Sequence, residues 1–252
     1  MSRRSVEVVR SGERILSYKC IPYTLICKAL EAMSIAIVTT AGVHLERQQP
    51  FYDNKADPDT SFRMIPGDVA SEQLIVTHFA PAYEYDTQIP SQDINTVFPL
   101  DRLQELANEQ FIGRVAATHY SFMGYMMRFH KLLEETMPSF IARLSQSNPD
   151  AVILTAGCPY SHRTVVILQR AIEAQGIPTV LITVDPDKSR NYRPPRAIHP
   201  VGLSPGCSAG FPHNVPQQRE IVKSALFRLV TAQEPGTIHE LHPADAKLQR
   251  LT

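Results

Sequence analysis

Residues 151–184 constrain the fold of this 252-residue chain more than any other stretch. They read AVILT, AGCPY, SHRTVVILQRAIEAQG and IPTVLITV in succession. The first and last runs are short, apolar and rich in β-branched residues, which is typical of strands buried on both faces. The third run has apolar residues at helical spacing and ends at Gly176, a common C-terminal stop. The pattern predicts a βαβ unit with its helix over residues 161–175.

Other segments predict further strands and helices around this unit. The runs SIAIVTT, QLIVTH and RVAATHY are short and rich in β-branched residues, as in strands. Residues 18–33 predict an opening helix that buries Cys20 and Cys27. In residues 48–72 the apolar residues follow neither helical nor strand spacing, which predicts a long loop. Five strands interleaved with helices indicate an α/β fold of the Rossmann or flavodoxin type, with a mostly parallel sheet of about five strands flanked by helices.

Length, charge and cysteine usage bound the class of protein. We expect one α/β domain over residues 1–232, divisible into lobes at about 34–147 and 148–232, and a weakly ordered tail over 233–252. Lys plus Arg and Asp plus Glu balance at 25 each, so neither nucleic acid nor a membrane surface is expected as a partner. Four cysteines without paired spacing or a targeting signal indicate reduced thiols in a cytoplasm.

Cys158 is the first candidate for chemistry, because it follows Gly157 in a tight turn just before the predicted helix. The free amides at a helix start favour a thiolate, and His162 in the first turn could lower the thiol pKa further or carry a proton. We therefore expect an activated thiol, although burial as an inert core residue is the common fate of free cysteines. Cys207, in the Gly/Pro/Ser-rich loop GLSPGCSAGFPH, is a candidate second thiol.

Histidines that follow or end predicted strands form a second group of candidates. His44, His78 and His119 should meet at one sheet edge, where ligands of parallel sheets bind. Three imidazoles could bind an anionic group or a metal, but no metal-ligand spacing is present and no metal is expected. Arg63 could hold a substrate carboxylate. Dinucleotide, P-loop and serine-hydrolase motifs are absent from the sequence.

Six segments, in this order, resemble a known family: VTTAGVHL, FRMIPGD, LIVTH, DINTVFPLDRLQELA, IGRVAATHYSFMG and DAVILTAGCPYSH. They are similar to the selenoprotein B subunits of glycine, sarcosine, betaine and D-proline reductases, the proline enzyme most closely. The resemblance implies that a pyruvoyl-type partner subunit holds the substrate amine while a selenolate cleaves a carbon–nitrogen bond reductively. The selenocysteine position falls on Cys158. Sulfur replaces selenium there, and Ser161 stands where many members have a cysteine that resolves the intermediate.

These observations lead to a thiol-dependent reductase of a small amino-acid-like or heterocyclic substrate, with an external thiol or redox protein as electron donor and no bound cofactor. A racemase or lyase that uses Cys158 and Cys207 as a pair, and a non-catalytic subunit of a reductase complex, are the alternatives. A homo-oligomer is expected. The residues expected to be catalytic are Cys158, His162 and His119, and those expected to bind substrate are His44, Arg63, His78, Tyr120, Ser121, Ser161 and Cys207.

Overall fold

The strands and helices are taken from a computed structural model, which describes residues 20–52, 57–77, 87–126 and 129–242. The strands are β1 Ser34–Thr39, β2 Val43–Leu45, β3 Phe62–Pro66, β4 Leu74–Val76, β5 Arg114–Val115, β6 Thr118–Phe122, β7 Ala151–Thr155, β8 Thr179–Ile182, β9 Arg196–Pro200 and β10 Thr237–Leu241. The helices are α1 Gln88–Gln92, α2 Leu100–Asn108, α3 Phe129–Lys131, α4 Met137–Ser147, α5 Ser161–Glu173, α6 Pro186–Tyr192 and α7 Val215–Thr231. Short 3₁₀ turns lie at Leu30–Ala32, Ser71–Gln73 and Ile94–Thr96, and a π-helical turn at Leu132–Thr136 joins α3 to α4.

Eight strands form the central sheet. Their order is β10-β9-β8-β7-β1-β6-β3, with the two-residue strand β5 also paired to β1. Every pairing is parallel except that of β3 with β6. The mostly parallel α/β architecture is therefore confirmed, although the sheet has about three more strands than expected.

Helices cover both faces of this sheet, which explains why its central strands β1 and β7 are buried along their whole length and are mostly apolar. Ile35, Ile37 and Ile153 face the layer that contains α2 and α7. Val38 and Leu154, one residue out of phase, face the layer that contains α4 and α5. Because successive side chains in a strand point to opposite faces, both faces of β1 and β7 must be apolar to bury both layers.

Three strand predictions needed correction. The long connection contains β3, an edge strand paired antiparallel to β6, with a mixed burial pattern that gives no clean alternation. The QLIVTH run contributes only β4, which pairs with β2 in a separate two-stranded sheet. The RVAATHY run divides into β5 and β6, because the pairing with β1 stops at Val115 and resumes only at Tyr120.

The two ends of the described chain also differ from expectation. Residues 20–29 are not helical, and Cys20 and Cys27 are exposed rather than packed in the core. This segment is held in irregular form by long-range bonds: Thr24 N–H donates to Glu173 Oε2 at 2.6 Å, and the Tyr23 hydroxyl donates to the Ala232 carbonyl at 2.5 Å. At the other end, β10 adds a parallel edge strand to β9 within the tail that was expected to be weakly ordered. None of the helices in the described ranges is both long and apolar enough to cross a bilayer.

Candidate functional site

The point where the sheet changes direction is the natural place for a ligand. Strands β1 and β7 lie side by side, but β1 is followed by strands on one side of the sheet and β7 by strands on the other. The loops after these two strands therefore diverge, and such switch points are the usual binding crevices of parallel sheets. A Cβ on Gly157 would lie 2.4 Å from Ala41 Cα, so only glycine allows the β7 loop to approach the β1 loop this closely.

Cys158 follows this glycine in a hydrogen-bonded turn that starts α5. Its N–H donates to Ser161 Oγ at 2.9 Å, and the Ser161 hydroxyl donates back to the Cys158 carbonyl at 2.6 Å. The Ser161 N–H donates to the same carbonyl at 3.0 Å. Ser161 therefore fixes the turn that carries the thiol, and Cys158 itself is only 1% exposed.

The pKa of the Cys158 thiol does not follow the sequence expectation. Burial raises this pKa from 9.0 to about 11. The Ser161 hydroxyl, the amides of Tyr160 and Ser161, and the Lys188 cation all lower the pKa, as a helix start should, but desolvation outweighs them. The prediction of an activated thiolate is therefore wrong for this buried position, where a pKa of about 11 leaves the thiol protonated at neutral pH.

The loop that carries Cys207 packs directly on the Cys158 turn. The Gly206 N–H donates to the Gly157 carbonyl at 3.1 Å, and the Ser208 hydroxyl donates to the Ala156 carbonyl. Cys207 is 1% exposed, and burial raises its pKa above the ordinary value. The structure thus brings the two loops together, with both thiols buried and neutral.

A cavity of about 310 Å³ opens beside the start of α5. His162 lines it and is 1% exposed. The ring Nδ1 lies 3.0 Å from Ser189 Oγ and 3.1 Å from Thr183 Oγ1, whereas Nε2 is buried without a hydrogen-bond partner among the described residues. Desolvation lowers the pKa of His162 to about 4, so the ring is neutral at physiological pH.

His119 has a different position from the one expected. It lies inside β6, 0% exposed, and does not line this cavity. Its Nδ1 accepts the Ile37 N–H at 2.8 Å, where the break between β5 and β6 leaves β1 without a strand carbonyl. The ring packs edge-on against Phe98 at 5.7 Å, and desolvation lowers its pKa to about 3. His119 therefore does not reach a binding crevice at the sheet edge, because the strand continues beyond it and encloses it. Cys158 also lies outside the lining of this cavity, although the neighbouring Pro159 belongs to it.

His44 and Arg63 are also fully engaged in structure. His44 lies in β2, with Nδ1 2.8 Å from the Leu45 carbonyl and Nε2 2.9 Å from Thr77 Oγ1. Arg63 donates to the carbonyls of Gln49 and Pro50 and stacks on Phe51 at 4.1 Å. Neither side chain is available to a substrate in this arrangement. His78 lies outside the described residues.

Comparison with known proteins gives two relatives and a family. The family model described as Glycine/sarcosine/betaine reductase selenoprotein B matches residues 13–157, more than half of the chain. D-proline reductase subunit gamma of Acetoanaerobium sticklandii is 40% identical over 216 residues, which cover 86% of each chain.

The chain belongs to the selenoprotein B family. Glycine reductase complex component B subunit gamma of Carboxydothermus hydrogenoformans is 27% identical over 84% of this chain and 49% of that protein. Of these two relatives, the D-proline reductase subunit is the more similar. No solved structure matches the chain. These relatives support a role for the chain in a reductase complex.

Tyr120 and Ser121, in the THYSFMG segment, are both buried in β6 of this selenoprotein B family member. Tyr120 packs against Phe62 and Phe140, and its hydroxyl lies 3.1 Å from Ser147 Oγ. Ser121 is completely buried, and its Oγ has no partner among the described residues. Neither residue lines the cavity beside α5, so neither is placed for substrate binding there.

Several cavity residues carry no sequence motif. The aromatic side chains of Tyr125 and Tyr160 meet edge-on at 5.5 Å, and Arg163 stacks over Phe129 at 3.8 Å. Lys188, from α6, is a further lining residue. These residues come from three separate segments, so a linear sequence gives no signal that they converge. The sequence indicated only the part of the cavity near residues 158–163, because these residues follow a predicted strand.

Proposed function

We propose that this chain is the thiol-bearing subunit of a reductase complex and uses Cys158 to cleave a carbon–nitrogen bond in a small cyclic amino acid of the D-proline type. The observation that carries the proposal is the position of Cys158, at the switch point between β1 and β7 and at the start of a thirteen-residue helix. The similarity to D-proline reductase subunit gamma supplies the substrate class.

Two features of the Cys158 turn support a nucleophilic sulfur there. The turn is rigid, because Ser161 and the loop over residues 206–208 bond its backbone. Amides, a hydroxyl and a cation are already placed to stabilise a thiolate, although burial keeps the free thiol protonated. The proposed attack therefore requires that the bound substrate changes this environment and that a base accepts the thiol proton.

The chemistry balances in two thiol-dependent steps. The Cys158 sulfur bonds to the substrate carbon while the carbon–nitrogen bond breaks, and nitrogen keeps the electron pair and takes a proton. A second thiolate then attacks the thioether sulfur, so that carbon leaves with its electron pair and takes a proton. The two sulfurs remain as a disulfide, which an external thiol or dithiol must reduce. With D-proline the product is 5-aminopentanoate.

The resolving thiol is either Cys207 or an external one, since Ser161 cannot serve. Cys207 is favoured as an internal candidate, because its loop bonds the backbone of the Cys158 turn. The substrate amine is held by a pyruvoyl-type partner subunit in this proposal, and the complex works in the cytoplasm. No bound cofactor of this chain itself takes part.

The packing of these same two loops supports one alternative, a racemase or lyase in which Cys158 and Cys207 act as facing acid and base. The two mechanisms differ in product, because a racemase converts D-proline to L-proline without reductant. They also differ in thiol requirement. A cysteine pair needs both sulfurs for turnover, whereas a reductase supplied with external thiol tolerates Cys207→Ser.

The test is turnover of D-proline by the complex of this chain with its partner subunit, in the presence of dithiothreitol. Cys158→Ser should abolish 5-aminopentanoate formation by orders of magnitude with little change in thermal unfolding, because a hydroxyl without a base is a poor nucleophile. Cys27→Ser, at an exposed position, is the matched control and should keep full turnover. Near-normal turnover in Cys158→Ser would show that the subunit is not catalytic through this thiol.

A further inference from the structure

The hydroxyl groups behind His162 form a chain that ends on a backbone carbonyl. Ser189 Oγ and Thr183 Oγ1 are 2.8 Å apart, both lie within 3.1 Å of His162 Nδ1, and the Thr183 hydroxyl donates to the Asp185 carbonyl at 3.2 Å. Ser189 and Thr183 are completely buried, so no solvent can replace either hydroxyl. The direction of the hydrogen bonds along this chain sets which ring nitrogen carries the proton.

A carbonyl oxygen only accepts, so Thr183 is the donor in its bond to the Asp185 carbonyl. Ser189 can then donate to Thr183, and Nδ1–H can donate to Ser189, which gives every donor in the chain an acceptor. In this arrangement the buried Nε2 is a bare lone pair. The opposite tautomer would bury an unpaired Nε2–H, which folded proteins avoid more strictly than an unpaired acceptor.

We propose that Thr183 and Ser189 are positioning residues that hold His162 in the Nδ1–H tautomer, so that Nε2 accepts a hydrogen bond or a proton from a ligand in the cavity beside α5. The inference rests on the proposed function in assigning the ligand to the reaction, but the tautomer itself does not depend on it. His162 is the group that touches the ligand, and the two hydroxyls act through it.

The charges of the cavity indicate the class of ligand. Arg163 and Lys188 are both cationic, and no Asp or Glu occurs among the described residues that line it. Lys188 is partly offset by Asp185 at 3.2 Å, whereas Arg163 stacks on the aromatic rings of Phe129 and Tyr192. The cavity therefore suits a small molecule with a carboxylate for the cations, an N–H or O–H for Nε2, and an apolar body for the aromatic walls.

Probes that each lack one group test this assignment. D-proline has both groups, cyclopentanecarboxylate has the same ring and carboxylate without the N–H, and pyrrolidine lacks the carboxylate. Binding is measured on this chain without the pyruvoyl-type partner, which would itself capture the amine. D-proline should shift the Nε2 resonance of His162, and cyclopentanecarboxylate should bind roughly tenfold or more weakly, without that shift. Equal binding of D-proline and cyclopentanecarboxylate would overturn the role of Nε2.

The tautomer is measured directly from the ¹⁵N resonances of the histidine ring at neutral pH. The wild-type ring should be in the Nδ1–H form, and the double variant Thr183→Val, Ser189→Ala should shift it toward the Nε2–H form that an isolated neutral histidine prefers. Thr183→Ser keeps the hydroxyl and should restore the wild-type spectrum. A wild-type ring in the Nε2–H form would overturn the inference whatever the activity of Cys158. A Nδ1–H ring with an inert Cys158 would leave the inference standing while the proposed function fails.

Discussion

The β6 region around His119 and the β7–α5 turn around His162 look alike by simple criteria but differ in what they can do. Both histidines are 1% exposed or less, both are neutral through desolvation, and both have an Nε2 without a partner among the described residues. His119 is enclosed by Gly67 and Phe98, and its Nδ1 accepts the Ile37 N–H of the neighbouring strand β1. His162 lines a cavity and is held by two hydroxyls.

The difference shows that burial and a shifted pKa do not by themselves identify a functional histidine. Structural and catalytic groups in low-dielectric surroundings undergo the same desolvation. What separates the two residues is their surroundings: His162 is among the residues that line the cavity beside α5, whereas Nε2 of His119 would lie 3.2 Å from a Cβ at Gly67. The comparison makes opposite predictions for the two side chains.

The largest expected effect is on turnover. His162→Gln should lower turnover of D-proline by about 10²- to 10⁴-fold, the usual contribution of a positioned proton-transfer group. Its unfolding free energy should change by only about 1 kcal/mol, since the ring makes two hydroxyl contacts. Steady-state rates and thermal unfolding, measured on the same preparations, check both parts. A stability loss without a rate loss would place His162 with His119 as a structural residue.

Thiol reactivity gives the next effect, and its direction is opposite to the sequence expectation. Since burial raises the pKa of Cys158 from 9.0 to about 11, its thiolate fraction at pH 7 should be roughly a hundredfold below that of an ordinary cysteine. The rate of alkylation by iodoacetamide should rise about tenfold per pH unit until the pH approaches that pKa. Mass spectrometry of individual peptides gives the rate for each cysteine. Faster alkylation of Cys158 than of the exposed Cys27 at pH 7 would show that the Cys158 thiol is activated despite its burial.

The smallest expected effect is on stability, at His119. His119→Leu removes the acceptor of the buried Ile37 N–H and should destabilise the fold by about 1–3 kcal/mol. Chemical denaturation measures this change, and Tyr120→Phe is a control on the same strand that loses only the contact with Ser147. Turnover per folded molecule should not change. A lower rate in the folded fraction of His119→Leu would return this residue to the site.

Local sequence patterns could predict some elements of the fold and not others. The βαβ unit over residues 151–184 was predictable because its strands are short, mostly apolar runs and its helix has apolar residues at helical spacing. The edge strand β3 was not, because antiparallel pairing with β6 determines it and its own residues do not alternate cleanly. The opening helix failed because tertiary bonds from Tyr23 and Thr24 outweigh helical spacing in residues 20–29.

The candidate site was predictable only where it is local in sequence. Cys158 and His162 lie at one strand end, so position alone indicated them. The roles of His44, His119 and Arg63 depend on partners distant in the chain or on a break in strand pairing, which no local pattern encodes. The hydroxyls of Thr183 and Ser189 become visible as a pair only when the fold brings them to His162.

The central claim is that Cys158 forms a covalent bond to the substrate carbon, and a single turnover without reductant tests it most directly. The complex should carry Cys207→Ser, so that the neighbouring loop provides no thiol to resolve the intermediate. Ring opening by sulfur adds the whole substrate, so isotopically labelled D-proline should increase the mass of the peptide containing Cys158 by one proline equivalent. An unmodified Cys158, or label on Cys20 or Cys27 instead, would contradict the account.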